Sequence, residues 1–124
     1  MWCGDGTFPE NSITNQWQGI HRELGAKMSK IFDITPYLQE WLTTAGFELV
    51  EQESLPVPIG TWPADRHLKE VGLCFRENFL DGGMEVYTMA LFTRSGWEPS
   101  KVKEMLDGVR KEIMSNKMHV FSVA

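Results

Sequence analysis

Two stretches in the first third of the chain carry apolar residues at helical spacing. The first apolar face consists of Ile13, Trp17, Ile20, Leu24 and Met28. This spacing predicts a helix over residues 12–29, with Asn11 or Ser12 as its N-cap. The second stretch predicts a helix over residues 35–46, because Pro36 suits a first helical turn and Gly46 suits a C-terminal cap. Its apolar face consists of Leu38, Trp41, Leu42 and Ala45.

After the second helix the pattern changes to alternation. Residues 47–53 alternate apolar and polar side chains as far as Val50, which predicts a strand with one buried face. Pro56, Pro58 and Pro63 follow and predict an extended connection. Residues 118–123 predict a second strand. Two strands alone are marginally stable, so we expect helices to pack on them.

The remainder of the chain is predicted to be helical. A helix begins near Asp65 and is interrupted at 81–83, where Asp-Gly-Gly predicts a break or kink. Residues 84–92 are nearly all apolar, so this part is expected to be buried on most sides. Gly96 ends it, and a last helix is predicted over residues 99–116. The inward side of this last helix consists of Val102, Met105, Leu106, Val109 and Ile113.

Composition places the chain among globular proteins and excludes several function classes. Its 124 residues suffice for one domain, 42% of them are hydrophobic, and the formal net charge is −5. Without clustered Lys and Arg, nucleic-acid binding is not expected. No apolar run of about 18 residues and no secretory signal is present, so we expect no membrane contact. Cys3 and Cys74 lack disulfide or metal-site spacing, which favours a reducing, cytoplasmic location.

The predicted helices offer more apolar surface than one small core can absorb. A domain of this size buries roughly two-thirds of its unfolded surface. We therefore expect some apolar surface to contact a partner chain, a second copy in a homodimer, or a bulky apolar ligand.

Five short strings, taken in order, resemble the C-terminal half of the fungal LaeA-like methyltransferases, a branch of the class I S-adenosylmethionine-dependent fold. The first string is DGT at 5–7, followed by Pro9 and Trp17, and the second is LTTAGF at 42–47. The others are GTWPAD at 60–65 followed by LKEVG at 68–72, MALFTR at 89–94 followed by GW at 96–97, and VRKEI at 109–113 followed by His119. The resemblance extends from about residue 4 to residue 121. The order and spacing of the strings make it specific, rather than any one string.

This resemblance implies a fold class that is α/β by ancestry and mostly helical in content. We expect one partial methyltransferase-like domain over 1–124, with a loop over 1–11, helices and the first strand over 12–64, and a helical cap with the closing strand over 65–124. The two strands should pair antiparallel, as the sixth and seventh strands of the family fold. The implied role is in fungal secondary metabolism, with methyl transfer as the ancestral reaction.

The glycine-rich loop that holds the methyl donor in this family has no counterpart in the sequence. Gly4-Asp5-Gly6 contains two glycines, but no strand precedes it. A donor cradle needs a strand, a loop and a helix N-terminus. We therefore expect a truncated methyltransferase that does not bind S-adenosylmethionine alone. Three functions remain open: half of an enzyme completed by a partner chain, a cofactor-free cyclase or binder for an apolar biosynthetic intermediate, and an inactive remnant.

Two histidines are candidate catalytic bases, because imidazole titrates near neutral pH. His67 is expected one turn into a helix, and His119 is expected in the closing strand, where it also matches a family position. The alternatives are a surface histidine for His67 and a core histidine for His119. His21 matches no family position and is expected to be exposed.

Several aromatic residues and one arginine are candidate substrate-binding residues. They are Trp62, Phe75, Phe79, Tyr87, Phe92, Arg94 and Trp97. Large flat rings suit the wall of a pocket for a polycyclic, polyketide-like substrate, and a guanidinium suits a carboxylate or enolate oxygen. In the competing interpretation the rings fill the core and Arg94 pairs with a nearby carboxylate. No metal site is expected, because the three histidines are widely separated.

Overall fold

In the computed structural model, which describes residues 1–123, five α-helices and two three-residue strands are formed. The helices are α1 (Ile13–Lys27), α2 (Leu38–Thr44), α3 (Arg66–Asn78), α4 (Met84–Arg94) and α5 (Pro99–Met114), and the strands are β1 (Pro56–Pro58) and β2 (Phe121–Val123). A 3₁₀ turn (Thr35–Tyr37) precedes α2, and a π-type turn (Phe79–Gly83) joins α3 to α4. The fold is thus mostly helical with two antiparallel strands, as the sequence predicts.

Side-chain caps fix the starts of two helices. The Ser12 hydroxyl accepts a hydrogen bond from the Asn15 amide (3.1 Å), and the Asp65 carboxylate accepts one from the Leu68 amide (2.8 Å). Each bond satisfies an N–H that has no partner within its own helix. The predicted starts of α1 and α3 are therefore confirmed to within a residue.

A carboxylate from the far end of the chain also holds the start of α1. Glu112 of α5 accepts hydrogen bonds from the backbone N–H of Ile13 (2.9 Å) and of Thr14 (2.8 Å), and from the Thr14 hydroxyl (2.7 Å). Thr14 is fully buried. A negative charge at a helix N-terminus is favourable because of the helix dipole. Glu112, part of the VRKEI string, therefore locks α1 onto α5.

The predicted first strand is wrong. Residues 47–53 form no strand, and all of them except Val50 are exposed. The strand forms instead at Pro56–Pro58, in the segment predicted to be an extended connection, and pairs antiparallel with β2, with Val57 opposite Ser122. The Ile59 amide extends this pairing to the Val120 carbonyl (2.9 Å), and both side chains are buried. Burial of Ile59 and Val120 favours the strand at Pro56–Pro58, whereas residues 47–53 have no strand to pair with.

The core lies where α1 and α4 pack on α5, while α3 packs on β1. Its buried apolar residues are Trp17, Leu24, Ile59, Leu80, Met84, Leu91, Phe92, Val102, Leu106, Val109, Ile113, Met118 and Val120. The inward face predicted for α5 is confirmed, apart from the partly buried Met105. The expectation that α4 is buried on most sides is wrong, because Val86 and Tyr87 are 67% and 71% exposed. The face predicted for α2 is not buried either, since no residue of that helix is buried.

Two glycines allow α3 to approach the strand region closely. The Gly60 amide donates a hydrogen bond to the Gly72 carbonyl (3.0 Å). A Cβ atom on Gly72 would lie well under 3.0 Å from the Gly60 carbonyl oxygen. Gly60 itself has φ +108°, a conformation that favours glycine. The glycines of the GTWPAD and LKEVG strings therefore serve the packing of α3 against the end of β1.

Candidate functional site

An apolar cleft opens where α1 meets the turn between α3 and α4. Its volume is about 410 Å³. Its walls consist of Trp17, His21, Phe32, Phe75, Asn78, Phe79, Gly83, Met84 and Tyr87. The π-type turn positions Phe79 and Met84 on one side, because Asp81 and Gly82 leave helical geometry there, with Gly82 at φ +89°. The predicted kink at 81–83 is thus confirmed, and it shapes one wall of the cleft.

A short hydrogen-bond chain lies behind the cleft wall. The indole Nε1–H of Trp17 donates to the Thr88 hydroxyl (3.1 Å), and that hydroxyl lies 3.4 Å from Nε2 of His21. Thr88 is fully buried on α4. These two hydrogen bonds therefore hold α1 against α4 and fix the orientation of the imidazole of His21.

The imidazole of His21 is surrounded by rings. Ring centroids of Trp17, Phe32 and Phe92 lie 5.2, 5.1 and 5.6 Å from its own. Burial lowers the pKa of His21 below its ordinary value of 6.5, because an apolar environment disfavours the charged form. His21 is therefore neutral at physiological pH and offers the cleft a polar group without a charge. The expectation that His21 is exposed is wrong.

A second cluster joins the N-terminal loop to the closing strand. Nδ1 of His119 lies 2.6 Å from Oδ2 of Asp5. The other carboxylate oxygen accepts hydrogen bonds from Cys3 Sγ (2.9 Å) and from the amide (3.1 Å) and hydroxyl (2.7 Å) of Thr7. Hydrogen bonds from Cys3, Thr7 and His119 hold the pKa of Asp5 far below its usual range. Asp5 therefore stays ionised and orients the ring of His119.

The indole ring of Trp62 covers the face of this dyad. It stacks on the ring of His119, with centroids 4.7 Å apart and an angle of 21° between the planes. The Nε1 atom of Trp62 is buried and has no hydrogen-bond partner among the described residues. Phe121 packs edge-on against Trp62, and Trp2 stacks on Phe121. The half-exposed ring of His119 is thus held by Asp5 and Trp62 together.

The structure brings only some of the predicted site residues together. Phe75, Phe79 and Tyr87 line the cleft. Trp62 and His119 form the separate stacked cluster. The others stand apart: Phe92 is fully buried in the core with Trp97 packed against it, and Arg94 and His67 are exposed with no ion pair among residues 1–123.

Sequence reasoning missed Trp17, His21 and Phe32 as cleft residues. A signal for His21 is present, because it follows Trp17 by four residues and so lies on the same side of α1. Phe32 carries no comparable signal, since it lies in a loop that folds back over Gly25. The cleft residues therefore depend on tertiary packing more than on local pattern.

Where β1 leads into α3, two of the backbone N–H groups that could hold the methyl donor implied by the family resemblance are engaged within the protein. Donor binding in such a fold needs free backbone N–H groups where a strand leads into a helix. Here β1 leads to α3, but the Gly60 amide donates to Gly72 and the helix start carries the Asp65 carboxylate. Both carboxylate oxygens of Asp5 are also engaged within the protein.

The described residues contain neither a metal-binding cluster nor a membrane-spanning helix. No three His, Cys, Asp or Glu side chains among residues 1–123 lie together as a metal site would require. None of the helices within this range is both long and apolar enough to cross a bilayer. Two features of the described residues that combine a histidine with aromatic rings are the cleft and the Asp5–His119 dyad.

Comparison with known proteins finds relatives among fungal methyltransferases. The chain is 36% identical over 122 residues to the Aspergillus terreus protein named Methyltransferase pytC, and 32% identical over 116 residues to the Emericella nidulans Probable methyltransferase tdiE. It is 28% identical to the Secondary metabolism regulator LAE1 of Cochliobolus heterostrophus. These matches cover 93–97% of this chain but only 36–39% of the relatives. No protein-family model and no solved structure matches it significantly.

Proposed function

We propose that this chain, which matches fungal methyltransferases over nearly its whole length but covers only 36–39% of theirs, supplies the acceptor-binding part of a methyltransferase in fungal secondary metabolism. The acceptor is an apolar, aromatic small molecule that binds in the cleft between α1 and α4. S-adenosylmethionine is bound by a part of the enzyme that these 124 residues do not include. The observation that carries the proposal is the cleft itself, which these residues form without that part.

The chemistry of the cleft wall supports an aromatic acceptor. Aromatic rings prefer offset or edge-to-face contacts at centroid distances of about 4.5–7 Å. Trp17 and Phe79 already adopt this edge-to-face arrangement at 5.8 Å, beside the open volume. The polar groups on the wall are few, namely the imidazole of His21, the amide of Asn78 and the hydroxyl of Tyr87. A few fixed polar groups in an apolar cleft orient a ligand rather than merely absorb it.

In this proposal the residues of the chain bind and orient the acceptor and exclude water from it. His21 is neutral and held by Thr88, so it gives or accepts one hydrogen bond at a fixed position. Orientation of the reacting atom relative to the donor is the main contribution of a protein to such a transfer. The methyl donor supplies the activated methyl group when it is bound elsewhere in the complete enzyme.

Binding of a hydroxylated aromatic probe tests the cleft. We expect isothermal titration of the chain with 2-naphthol to show saturable binding, and Tyr87→Ser to weaken it about tenfold, which corresponds to about 1.4 kcal/mol. Val86→Ser is the matched control, because Val86 is similarly exposed on α4 but does not line the cleft. Absence of binding, or equal affinity in both variants, would contradict the proposal.

A cofactor-free cyclase or binder is the second candidate. It is favoured by the Asp5–His119 dyad, because a carboxylate that orients an imidazole is a common arrangement for a general base. Positioning alone lowers the barrier of a unimolecular reaction by several kcal/mol. The two functions differ in donor dependence: turnover of an apolar intermediate by the chain alone, without S-adenosylmethionine, would favour the second.

A further inference from the structure

Three polar side chains behind the cleft wall share their hydrogen bonds in only one consistent way. The indole of Trp17 has one N–H and no acceptor, so it donates to the hydroxyl oxygen of Thr88 (3.1 Å). The single hydroxyl proton of Thr88 then remains for Nε2 of His21, 3.4 Å away. A helical threonine can instead donate to a carbonyl one turn earlier, as Thr93 does to Met89, but Thr88 makes no such bond within residues 1–123. The hydroxyl of Thr88 therefore has Nε2 of His21 as its acceptor.

The opposite assignment would leave a buried donor without a partner. If Nε2 of His21 carried the proton, it would donate to the Thr88 oxygen, and the Thr88 hydroxyl proton would meet no acceptor. Thr88 is fully buried, so bulk water does not reach this proton. Buried polar groups in folded proteins nearly always have a hydrogen-bond partner. Nε2 therefore accepts, and the one proton of the neutral imidazole lies on Nδ1.

The Nδ1–H group of His21 is available to a ligand. It has no hydrogen-bond partner within residues 1–123, and the described residues do not enclose it. His21 lines both the cleft and an adjoining cavity of about 550 Å³, and Trp17 and Phe32 line both as well. Because Thr88 already occupies Nε2, the imidazole has no free lone pair with which to take a proton. His21 therefore offers a ligand a hydrogen-bond donor and is not a general base.

The other polar groups of the cleft discriminate less between ligands. The amide of Asn78 and the hydroxyl of Tyr87 belong to exposed side chains. Water binds such groups when no ligand is present, so exchanging water for a ligand gains little. The half-buried imidazole of His21 lies between the rings of Trp17 and Phe32, and a hydrogen bond is stronger in such an apolar environment. The N–H of His21 is therefore the group that selects between ligands of equal shape.

We propose that His21 determines substrate specificity by donating a hydrogen bond from Nδ1 to a carbonyl oxygen on the ring system of the acceptor, which makes aromatic ketones the substrate class. This inference rests on the proposed function and adds the functional group that the cleft recognises. A carbonyl accepts through two lone pairs and brings no proton that would need its own partner in an apolar cleft. Thr88 is a positioning residue, because it fixes which nitrogen of His21 carries the proton.

Two ligands that differ by one oxygen test the role of His21. 2-Acetylnaphthalene and 2-isopropylnaphthalene have nearly the same shape, and only the first has a carbonyl. In equilibrium dialysis we expect the 124-residue chain to bind the ketone roughly three- to tenfold more tightly, the range of one net hydrogen bond. His21→Phe should make the two affinities equal, whereas Asn78→Ala, the control on the same cleft wall, should keep the preference. Equal affinities in the wild type, or a preference that survives His21→Phe or is lost in Asn78→Ala, would overturn the inference and leave the proposed function standing.

Nitrogen NMR of the imidazole reads the tautomer directly, without a ligand. We expect a pyridine-type signal from Nε2 of His21 and a pyrrole-type signal from Nδ1, assigned by their loss in His21→Phe. Thr88→Val removes the hydroxyl but keeps the shape, so it should reduce both the population of this tautomer and the preference for the ketone, while Thr88→Ser should keep them. A proton on Nε2 in the wild type would overturn the inference. Binding of neither ligand would overturn the proposed function, and the inference with it.

Discussion

Replacement of Gly72 by alanine tests the packing that positions α3. The new methyl group would overlap the Gly60 carbonyl oxygen and would lie 3.4 Å from Cγ of Pro58, so α3 must move away from the strand. Overpacking of this kind costs about 1–3 kcal/mol. Weakening the hydrogen bond from Gly60 to Gly72 costs about 0.5–1.5 kcal/mol more. Alanine recovers up to about 1 kcal/mol through helix propensity, so the net loss is about 2–3 kcal/mol.

Thermal and urea unfolding measure this loss. For a chain of this length, about 2–3 kcal/mol lowers Tm by on the order of 10 °C. Gly19→Ala in α1 is the matched control, because a Cβ there meets no atom within 4 Å. The control should raise the free energy of unfolding by about 0.5–1 kcal/mol. A Gly72→Ala protein as stable as the wild type, or equal destabilisation by both changes, would refute the proposed role of close glycine packing.

Three further changes test the polar contacts. Glu112→Ala should lower the free energy of unfolding, measured by urea titration, by about 2–4 kcal/mol. It removes three hydrogen bonds and leaves the Thr14 hydroxyl buried without this partner. Unchanged stability would contradict the capping role of Glu112. Burial lowers the pKa of His21 in the folded protein, so on acidification the unfolded chain binds a proton at a higher pH than the folded one. Stability should therefore fall as the pH drops through 6.5. His21→Gln should remove that part of the pH dependence when unfolding is followed by circular dichroism. Hydrogen bonds from Cys3, Thr7 and His119 lower the pKa of Asp5, so ionised Asp5 stabilises the fold at pH values above 3.8, its ordinary pKa, and this stabilisation is lost as the pH falls further. Asp5→Asn should therefore be less stable than the wild type at pH 6, and the difference in the free energy of unfolding should shrink toward pH 2.

Local signals predicted the helices well. The apolar faces of α1 and α5 and the cap at Asp65 are properties of neighbouring residues, so they can be recognised in the sequence alone. The break at Asp81-Gly82-Gly83 is equally local, since Gly82 adopts a positive φ. These elements carry most of the core.

Features that depend on a partner element could not be predicted in the same way. The alternation at 47–53 satisfies the pattern of a strand, but the backbone of β2 is paired with Pro56–Pro58 on one side and bridges to Trp2 on the other. The apolar character of α4 does not indicate which side faces α1 and α5, so the exposure of Tyr87 cannot be predicted from it. The partial burial of His21 likewise follows from the packing of α1 against α4, which the sequence around His21 does not indicate.

The candidate site shows the same division. Phe75, Phe79 and Tyr87 could be named from the sequence because their aromatic rings suit a pocket wall. Their meeting with Trp17 and His21 depends on how α1 crosses α4, which the hydrogen bond from Trp17 to Thr88 fixes. The pairing of His119 with Asp5 joins residues 114 positions apart, and no local pattern indicates it.

In the proposed function, these residues bind the acceptor and the rest of the enzyme binds the methyl donor. Isothermal titration with S-adenosylmethionine tests it most directly, performed on the 124-residue chain and on a chimera in which this chain replaces the matched 37% of the Aspergillus terreus relative. We expect no binding to the chain alone at millimolar donor and saturable binding to the chimera. Micromolar binding by the chain alone would contradict the claim.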